Sequence, residues 1–382
     1  MKKITIGLWF FTILGLFFYS FTQVDLNLTL IKHPFINQII KSFQYLGYFQ
    51  RPLSTYIFLL FVLLLFLLYF LFLALAKNGN LSRREFWLVI ICTSVILLFS
   101  YPAFSYDIFN YMFDAKTIVI YHQSPWYTKP LDFIGDPWLS FMHWTHRPSV
   151  YPPGWILLSL PFFIAGFNYF TLILLNFKLL MALGFLGSVW MLEKLLSPDE
   201  RHVITALVFY AFNPLMLIEN LVSGHNDIVM MFFVLLSFWF ALQKKKLFSI
   251  FYFLFSIFTK YITAVLLPVI FFYDWFRKKT GEVIIYRYSL IIVFLAFLFF
   301  ITRVEIQPWY LVWLIPFIVL SGWKFLYPVT IGLSLGFLLR YVPFLYQGNW
   351  DNPVPAYEFW LTLIPFIFSV CFVPFLLKRR VL

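Results

Sequence analysis

The sequence has few charged residues: Asp, Glu, Lys and Arg together make up only 12% of the 382 residues. Soluble domains carry about 25% charged and about 45–50% apolar residues. In this chain 62% of the residues are hydrophobic, and the mean hydropathy is +0.87. A water-soluble fold of this size could not bury so much apolar surface. The scarcity of charge therefore excludes a soluble enzyme and a disordered chain, and it indicates a protein embedded in a membrane.

Cysteine is also scarce, because Cys92 and Cys371 are the only two in the chain. Both lie inside apolar runs, so we predict small buried hydrophobic side chains and neither a disulfide nor a metal site. The sequence contains no Gly-rich phosphate loop, no Walker motif, no zinc-protease motif and no nucleophile elbow. These absences exclude a disulfide scaffold and leave nucleotide hydrolysis on the cytoplasmic side unsupported.

Apolar runs long enough to cross a bilayer recur along the whole chain. About 20 helical residues cross the hydrocarbon core of about 30 Å. The long runs lie at residues 5–23, 53–76, 86–104, 168–194, 202–221, 227–243, 284–302, 309–323, 325–345 and 357–377. A hairpin of two short pieces, 247–259 and 262–275, adds two more, and 154–167 suits a re-entrant segment. The runs predict an all-α polytopic membrane protein with about 12 transmembrane helices (about 10–13), forming a single integral membrane domain over residues 1–382.

Lys and Arg residues divide unequally between the two sets of loops. With Lys2 and Lys3 placed in the cytoplasm, the inner side holds most of the 28 Lys and Arg residues, including those at 277–279 and 378–380. The positive-inside rule then predicts an inner-membrane or plasma-membrane protein with both termini cytoplasmic. No small-residue cleavage site follows the first run, so we predict that it remains as a span. The same asymmetry accounts for the net charge of +12 without nucleic acid.

The longest polar stretch, residues 105–153, falls on the outer side and predicts a catalytic loop with short interfacial helices. Its first motif is DIFNYMFD, residues 107–114. On a helix, Asp107 and Asp114 lie two turns apart on one face, about 10.5 Å along the axis, which is too far to share a proton. Asp107 is nearest the membrane, where partial desolvation raises the pKa of a carboxyl group and suits a base. The alternative is that both are solvated acids or helix caps.

Basic side chains near the outer ends of the runs form a candidate site for a phosphate group. Lys260 lies at the tip of the short hairpin, and irregular backbone at membrane depth is tolerated only where it is buried or lines a wet cavity. Arg147 stands in HRPSVYPPG, residues 146–154, where prolines fix the backbone as the chain re-enters the membrane. Arg303 and Arg340 lie near the outer ends of their spans. Each cation alone could snorkel to the interface, but together they favour phosphate binding.

A second polar cluster, SGHND at residues 223–227, opens a helix on the outer side. A helix start attracts phosphate, and Ser223 or Asn226 suits the N-cap. His225 is placed to contact a phosphate oxygen and Asp227 to orient the imidazole. The alternative is a polar turn with a cap. A metal site is weakly supported, since a third ligand at helical spacing is missing.

In this order, the segments resemble the polytopic GT-C superfamily of glycosyltransferases, which use polyprenyl-phosphate sugars. The similarity is greatest to bacterial and archaeal mannosyltransferase-like members and to the GPI mannosyltransferase I type. The motifs are DIFNYMFD at 107–114, SVYPP at 149–153, FNP at 212–214 with GHND at 224–227, TKY at 259–261 and QPWY at 307–310. Relatives commonly carry Arg after the Tyr of the first motif, where this chain has Asn110 and Tyr111. We expect no soluble C-terminal domain of the kind found in some members.

The resemblance implies an inverting glycosyltransferase at the outer membrane face. Such an enzyme moves a sugar, with mannose the best guess, from a polyprenyl-phosphate donor to a hydroxyl of a lipid-linked or glycan acceptor. It implies Asp107 and Asp114 as catalytic residues. The expected donor phosphate ligands are Arg147, His225, Lys260, Arg303 and Arg340, and the expected substrate contacts are Tyr151, Asn226, Asp227, Trp309 and Tyr310. Because the leaving group carries a single phosphate, cations can replace a metal, and we expect neither a metal nor a cofactor.

Two other functions remain open from the sequence. A transporter or flippase of lipid-linked sugars would also have many spans and a cationic cavity, although no internal repeat is visible and the outer loop carries paired acids. A ligase or polymerase of surface polysaccharide would use a diphosphate-linked donor. For the glycosyltransferase, the expected partners are the bilayer, a polyprenyl-phosphate-linked sugar and a glycan or glycolipid acceptor, without nucleic acid.

Overall fold

The computed structural model describes residues 2–196 and 200–378, and these residues form helices and no strand. The predicted all-α class is therefore confirmed. Arg379 and Arg380, which contributed to the predicted orientation, lie outside the described residues.

Eighteen α-helices are present in the described ranges. Those of the first half are α1 Lys2–Ser20, α2 Pro34–Phe49, α3 Arg51–Lys77, α4 Arg83–Leu98, α5 Asp107–Val119, α6 Pro153–Ile164 and α7 Phe170–Leu195. Those of the second half are α8 Glu200–Ala211, α9 Pro214–Leu217, α10 Asp227–Leu242, α11 Lys246–Thr259, α12 Leu267–Phe271, α13 Tyr273–Thr280, α14 Glu282–Ile301, α15 Ile315–Ser321, α16 Leu326–Leu339, α17 Tyr341–Gln347 and α18 Val354–Lys378.

Short helices of other types join these elements. The 3-10 helices are Phe21–Gln23, Pro130–Asp132, Pro137–Ser140, Tyr261–Leu266 and Pro308–Trp313. A π-helix, Ile218–Ser223, continues α9. Residues 105–153 thus hold α5 and two 3-10 turns, while their position relative to the membrane stays a prediction.

Six helices of the described chain are long and apolar enough to cross a membrane, or seven if the bent pair Arg201–Ala211 and Pro214–Ser223 is one span. The prediction of about 12 spans is not confirmed. Several predicted spans form shorter helices: α4, for example, has 16 residues and ends at Leu98, although the apolar run continues to residue 104. Pro102 disfavours helix in the residue before it, so the end of the apolar run is not helical. Hydropathy detects the run and not the end of the helix.

Both cysteines are exposed, so the prediction that they are buried is wrong. Cys92 lies on α4 and Cys371 on α18. In a membrane protein, side chains that face lipid are as apolar as those in the core, so an apolar neighbourhood in the sequence does not indicate burial within the protein.

Contacts around α10 bring distant parts of the chain together. This helix packs between α7 and α11, while α5 packs against α6 and α7.

Lys178, on α7, is buried. Its Nζ donates to Ser100 Oγ at 2.9 Å and to the Val222 carbonyl at 2.7 Å, and it also contacts the Leu221 carbonyl. Carbonyls at a helix end lack partners within the helix. Lys178 supplies partners for two of them and so fixes the end of the π-helix ahead of α10.

An ion pair holds the segment that follows α5 against that helix. Lys116 Nζ lies 2.5 Å from Asp136 Oδ2, and both side chains are shielded from solvent. The same carboxylate accepts the Tyr121 hydroxyl at 2.6 Å. Lys116 also lies 4.2 Å from the centroid of the Trp138 ring. A buried pair with these additional contacts is expensive to break, so this loop has a defined structure next to α5.

Glycine permits the close approach of α16 and α18. A Cβ at Gly336 would overlap the backbone carbonyl of Thr362, and one at Gly332 would overlap Ser369. Small residues one turn apart allow such packing in membranes, where van der Waals contact drives helix association.

We therefore expect Gly336→Val to lower the free energy of unfolding by about 1–3 kcal/mol, since backbone must move to admit the side chain. Gly7→Val is the matched control, because it makes the same change in helix propensity while a Cβ at Gly7 meets nothing within 4 Å. Thermal unfolding in detergent measures both. Equal losses for the two variants would show that the packing of α16 on α18 tolerates a side chain.

Candidate active site

Four segments of the chain meet at the N-terminal ends of α5 and α10. They contribute Asp107 from α5, Glu219 from the π-helix, His225 and Asp227 from the start of α10, and Lys260 from the break after α11. We call these five residues the acid–histidine cluster. Lys260 lies at the junction of α11 and the 3-10 helix that follows, as the hairpin pattern predicts.

Asp227 is fully buried, and both of its carboxylate oxygens accept hydrogen bonds. Lys260 Nζ donates to them at 2.8 and 2.9 Å, and Trp313 Nε1 donates to Oδ1 at 2.5 Å. The ammonium group also lies 5.8 Å from the centroid of the Tyr310 ring and 5.5 Å from that of Trp313. Hydrogen bonds to ionised groups are among the strongest in proteins. This arrangement stabilises both charges and fixes the position of Lys260, whose side chain is 21% exposed.

His225 lies between two carboxyl groups. Its Nδ1 is 3.6 Å from Asp107 Oδ2 and its Nε2 is 3.4 Å from Glu219 Oε2. The imidazole is fully buried and stacks on Trp309 with ring centroids 3.8 Å apart. Burial lowers the pKa of His225 well below its usual range, and the charge of Lys260 lowers it further. The ring is therefore neutral and carries one N–H between two possible acceptors.

Glu219 is the site residue that sequence reasoning missed. It is fully buried on the π-helix, where its Oε1 accepts the Tyr341 hydroxyl at 2.9 Å. Within the described part of the chain, neither its Oε2 nor either nitrogen of His225 has a hydrogen-bond partner. Buried polar groups left unpaired are rare and cluster at functional sites. Its position inside an apolar run could have identified Glu219 as a candidate site residue, because carboxylates at membrane depth are energetically costly and usually have a function.

Asp107 is the first residue of α5, and its backbone N–H donates to Ser105 Oγ at 3.2 Å. Its side chain keeps 19% of its surface exposed, whereas those of Glu219 and Asp227 have none. Burial raises the pKa of Asp107 to about 6; Lys260 and Arg147 lower it, and Asp227 raises it. A carboxylate with this pKa is ionised at neutral pH and is a stronger base than an ordinary Asp.

We expect enzyme activity to fall as the pH drops through about 6. The pKa of Asp107 is raised to about 6, so its basic form predominates above that pH and is lost below it. The pH dependence of kcat/KM reports this ionisation in the free enzyme. An Asp132→Asn variant, which alters an exposed acid of the same loop, should keep the profile. A profile flat down to pH about 4, where an unperturbed Asp titrates, would contradict a base with a raised pKa.

Asp114 occupies a different environment from Asp107. It is buried, and Ser149 donates its hydroxyl to Oδ2 at 2.6 Å. Burial raises the pKa of Asp114 to about 8, against a lowering by that hydrogen bond. At neutral pH the carboxyl group is mostly protonated and suits a hydrogen-bond donor better than a base. With Arg147 and Tyr151 it lines a small cleft.

Apart from His225, which is described above, the predicted phosphate ligands fall into two groups. Lys260 belongs to the acid–histidine cluster, and the charge of Arg147 acts on Asp107 from an exposed position over the Trp144 ring, 4.8 Å from its centroid. Arg340 instead pairs with Glu358 at 3.1 Å and contacts Glu305. Arg303 likewise contacts none of the five cluster residues in the described structure; it is exposed and lies 5.4 Å from the centroid of the Phe299 ring.

The predicted substrate contacts surround the cluster. Asn226 takes the N-cap position of α10 without a side-chain capping bond, and its Oδ1 accepts the Tyr111 hydroxyl at 3.3 Å. Tyr151 packs edge-on against Tyr111 with centroids 4.7 Å apart. Trp309 and Tyr310 cover His225 and Lys260, respectively. In residues 2–196 and 200–378, no group of three or more His, Cys, Asp or Glu is arranged to hold a metal ion.

Comparison with known protein families gives a match over most of the chain. The model of the MptA_B family, described as alpha-(1->6)-mannopyranosyltransferase, N-terminal domain, matches residues 24–276. That range covers about two thirds of the chain and includes all five residues of the acid–histidine cluster, but it ends before Trp309, Tyr310 and Arg340. No curated protein and no solved structure matches the chain.

Proposed function

Because the chain belongs to the alpha-(1→6)-mannopyranosyltransferase family and is therefore a membrane-embedded mannosyltransferase, we propose that it takes mannose from a polyprenyl-phosphate donor by a single inverting displacement. The acceptor that we propose is the 6-hydroxyl of a mannose residue in a lipid-linked or glycan chain, in keeping with the linkage in the family's name. Asp107 is the proposed base.

The observation that carries this proposal is that the three carboxyl groups of the acid–histidine cluster differ in exposure and in hydrogen-bond partners. Asp227 is occupied by Lys260 and Trp313, and Glu219 is buried behind His225 and bonded to Tyr341. Asp107 alone is partly exposed, and among the described residues its one ion-pair contact is His225 at 3.6 Å. A base must reach the proton that it removes. Asp107 is the carboxylate of this cluster that an acceptor can reach.

In the proposed step, the Asp107 carboxylate takes the proton of the acceptor hydroxyl while that oxygen attacks C1 of the donor mannose. The bond between C1 and the phosphate oxygen breaks, and the lipid phosphate leaves with the bonding electrons. Lys260 and Arg147 are the cations that act on Asp107 in the structure, and we assign to them the stabilisation of the departing phosphate. One displacement needs one base and inverts the configuration at C1.

His225 and Asp114 take supporting roles in this proposal. With its proton on Nδ1, His225 faces the Asp107 carboxylate, and Glu219 lies behind Nε2. His225 then orients the base and favours its ionised form, as the third group of a catalytic triad does for its base. Asp114, held by Ser149, is a hydrogen-bond donor to the sugar. We keep Tyr151, Asn226 and Asp227 as residues that shape the sugar site, and Arg303 and Arg340 as further candidates for the phosphate.

We propose that the reaction uses neither a metal nor another cofactor, because fixed cations stand beside the base. Purified protein with synthetic polyprenyl-phosphate mannose and an octyl mannoside acceptor tests the proposal. Transfer that persists in EDTA and does not occur with a nucleotide-linked mannose supports it. Transfer from the nucleotide sugar alone, or movement of the intact lipid-linked sugar across a vesicle without bond cleavage, would contradict it.

We further propose that both termini are cytoplasmic and that the acid–histidine cluster faces the periplasm or exterior of an inner or plasma membrane. The Lys/Arg-rich loops support this orientation. In a background without Cys92 and Cys371, we expect a cysteine at the exposed Ser140 to react with an impermeant thiol reagent in intact spheroplasts. A cysteine at the exposed Lys278 should react only after lysis. The reverse labelling pattern would contradict the outward-facing site.

A further inference from the structure

A large cavity lies in the half of the molecule that carries the Lys/Arg-rich loops. Its volume is about 1430 Å³, and its walls come from α3, α8, α16 and α18. Pockets for drug-sized ligands measure about 300–1,000 Å³, so this cavity is larger than a single sugar or nucleotide requires. Along α3 it extends from Leu63 to Lys77, which is about 21 Å of helix. That depth exceeds half of the bilayer's hydrocarbon core of about 30 Å.

The two ends of the cavity differ in chemistry. Its deep end is lined by apolar side chains such as Phe66, Leu335 and Ile364. At the other end stand Lys77 at the end of α3, Arg201 near the start of α8, and Lys324 just before α16. All three are exposed. The shape and charge match an amphiphile with an anionic headgroup and long acyl chains.

This end of the cavity lies far from the acid–histidine cluster. Lys324 precedes α16, whereas Arg340 follows it, and the next residue, Tyr341, donates its hydroxyl to Glu219. The cationic rim and the cluster are thus at opposite ends of a helix about 20 Å long. A donor whose phosphate lies beside Asp107 cannot also place that phosphate at Lys324. The rim therefore serves a different anionic group.

We propose that this cavity binds an anionic glycerophospholipid from the leaflet opposite the active site, with its headgroup at Lys77, Arg201 and Lys324 and its acyl chains between α3, α8, α16 and α18. Basic side chains at a membrane surface attract anionic lipid by about 1 kcal/mol each. The lipid packs against Phe209 of α8, which stacks on Tyr327 of α16 with ring centroids 4.1 Å apart. It therefore braces α8, from which the chain continues through α9 to the π-helix bearing Glu219.

Native mass spectrometry of the full chain, released from nanodiscs that contain equal amounts of phosphatidylglycerol and phosphatidylcholine with the same acyl chains, tests the proposal. We expect one phosphatidylglycerol to be retained preferentially. Lys324→Glu should reduce its retention at least fivefold, because an attraction becomes a repulsion. Lys245→Glu is the matched control, since Lys245 is an exposed lysine of another basic loop that does not line the cavity.

A second pair of variants tests the apolar part of the cavity. Ala74 lines it from α3, so Ala74→Trp should fill it and reduce retention, whereas Leu60→Trp places the same ring at an exposed position of the same helix outside the cavity and should not. Equal retention of the two lipids, equal retention by Ala74→Trp and Leu60→Trp, or equal effects of the two lysine variants would overturn the proposal. Displacement of phosphatidylglycerol by polyprenyl phosphate at equimolar amounts would overturn it too, by showing that the cavity holds the donor.

Discussion

Asp107→Asn should lower the rate of mannosyl transfer by about 10²–10⁴-fold, because a positioned base typically contributes that factor. Asn preserves the size and polarity of the side chain at the start of α5 and removes only its ability to take a proton. The partial exposure of Asp107 predicts that folding and donor binding are nearly unchanged. Steady-state rates, together with binding of a non-transferable donor analogue, separate the two effects.

Two further acids of the same loop provide the controls for Asp107→Asn. Asp114→Asn keeps a hydrogen-bond donor at a carboxyl group that is mostly protonated at neutral pH, so we expect a smaller loss of activity. Asp132→Asn changes an exposed residue and should leave the rate unchanged. Turnover like that of the native protein in Asp107→Asn, with loss in Asp114→Asn, would assign the base to Asp114.

Lys260→Ala should impair both donor binding and stability. The ammonium group is bonded to the buried Asp227 carboxylate at 2.8 and 2.9 Å, and removing one partner of a buried pair costs about 3–5 kcal/mol. Loss of a charge-assisted contact to the donor phosphate costs about 1.5–3 kcal/mol, which raises the KM for the donor by about 10–150-fold. Thermal unfolding and donor kinetics measure the two losses separately.

The double variant Lys260→Ala/Asp227→Asn distinguishes a structural role of Lys260 from a role in binding. It removes both charges, so we expect stability to recover while the KM for the donor stays raised. Lys41→Ala, which removes an exposed cation of α2 that has no role in the site, is the control and should have a small effect. Full recovery of donor kinetics in the double variant would show that Lys260 only neutralises Asp227.

Local features of the site were predictable from the sequence. Short helices are predicted within residues 105–153, and on a helix Asp107 and Asp114 share one face; α5 begins at Asp107. The break between two short apolar pieces predicts an irregular junction at Lys260, which the structure confirms. Both predictions rest on helical periodicity and on the cost of placing charge at membrane depth, and these act within one segment of the chain.

Contacts between distant segments were not predictable in the same way. The sequence suggested that Asp227 orients His225, but the carboxyl groups within 4 Å of the imidazole are those of Asp107 and Glu219. Arg340, which is predicted to bind phosphate, pairs with Glu358 and contacts Glu305, and the sequence did not indicate these partners. Which carboxylate meets which cation depends on how the helices pack, and a single sequence does not record that packing. The predicted number of spans is not confirmed, since several apolar runs extend past the ends of shorter helices.

The configuration of the product at C1 tests the central claim most directly. Purified protein is given β-configured polyprenyl-phosphate mannose and an α-(1→6)-linked mannobioside acceptor, and the one-bond coupling between C1 and its hydrogen in the NMR spectrum identifies the new linkage. A single displacement with Asp107 as base predicts the α-linked product, made by the native protein and lost in Asp107→Asn. A β-linked product would require two displacements through a covalent intermediate and would contradict the account.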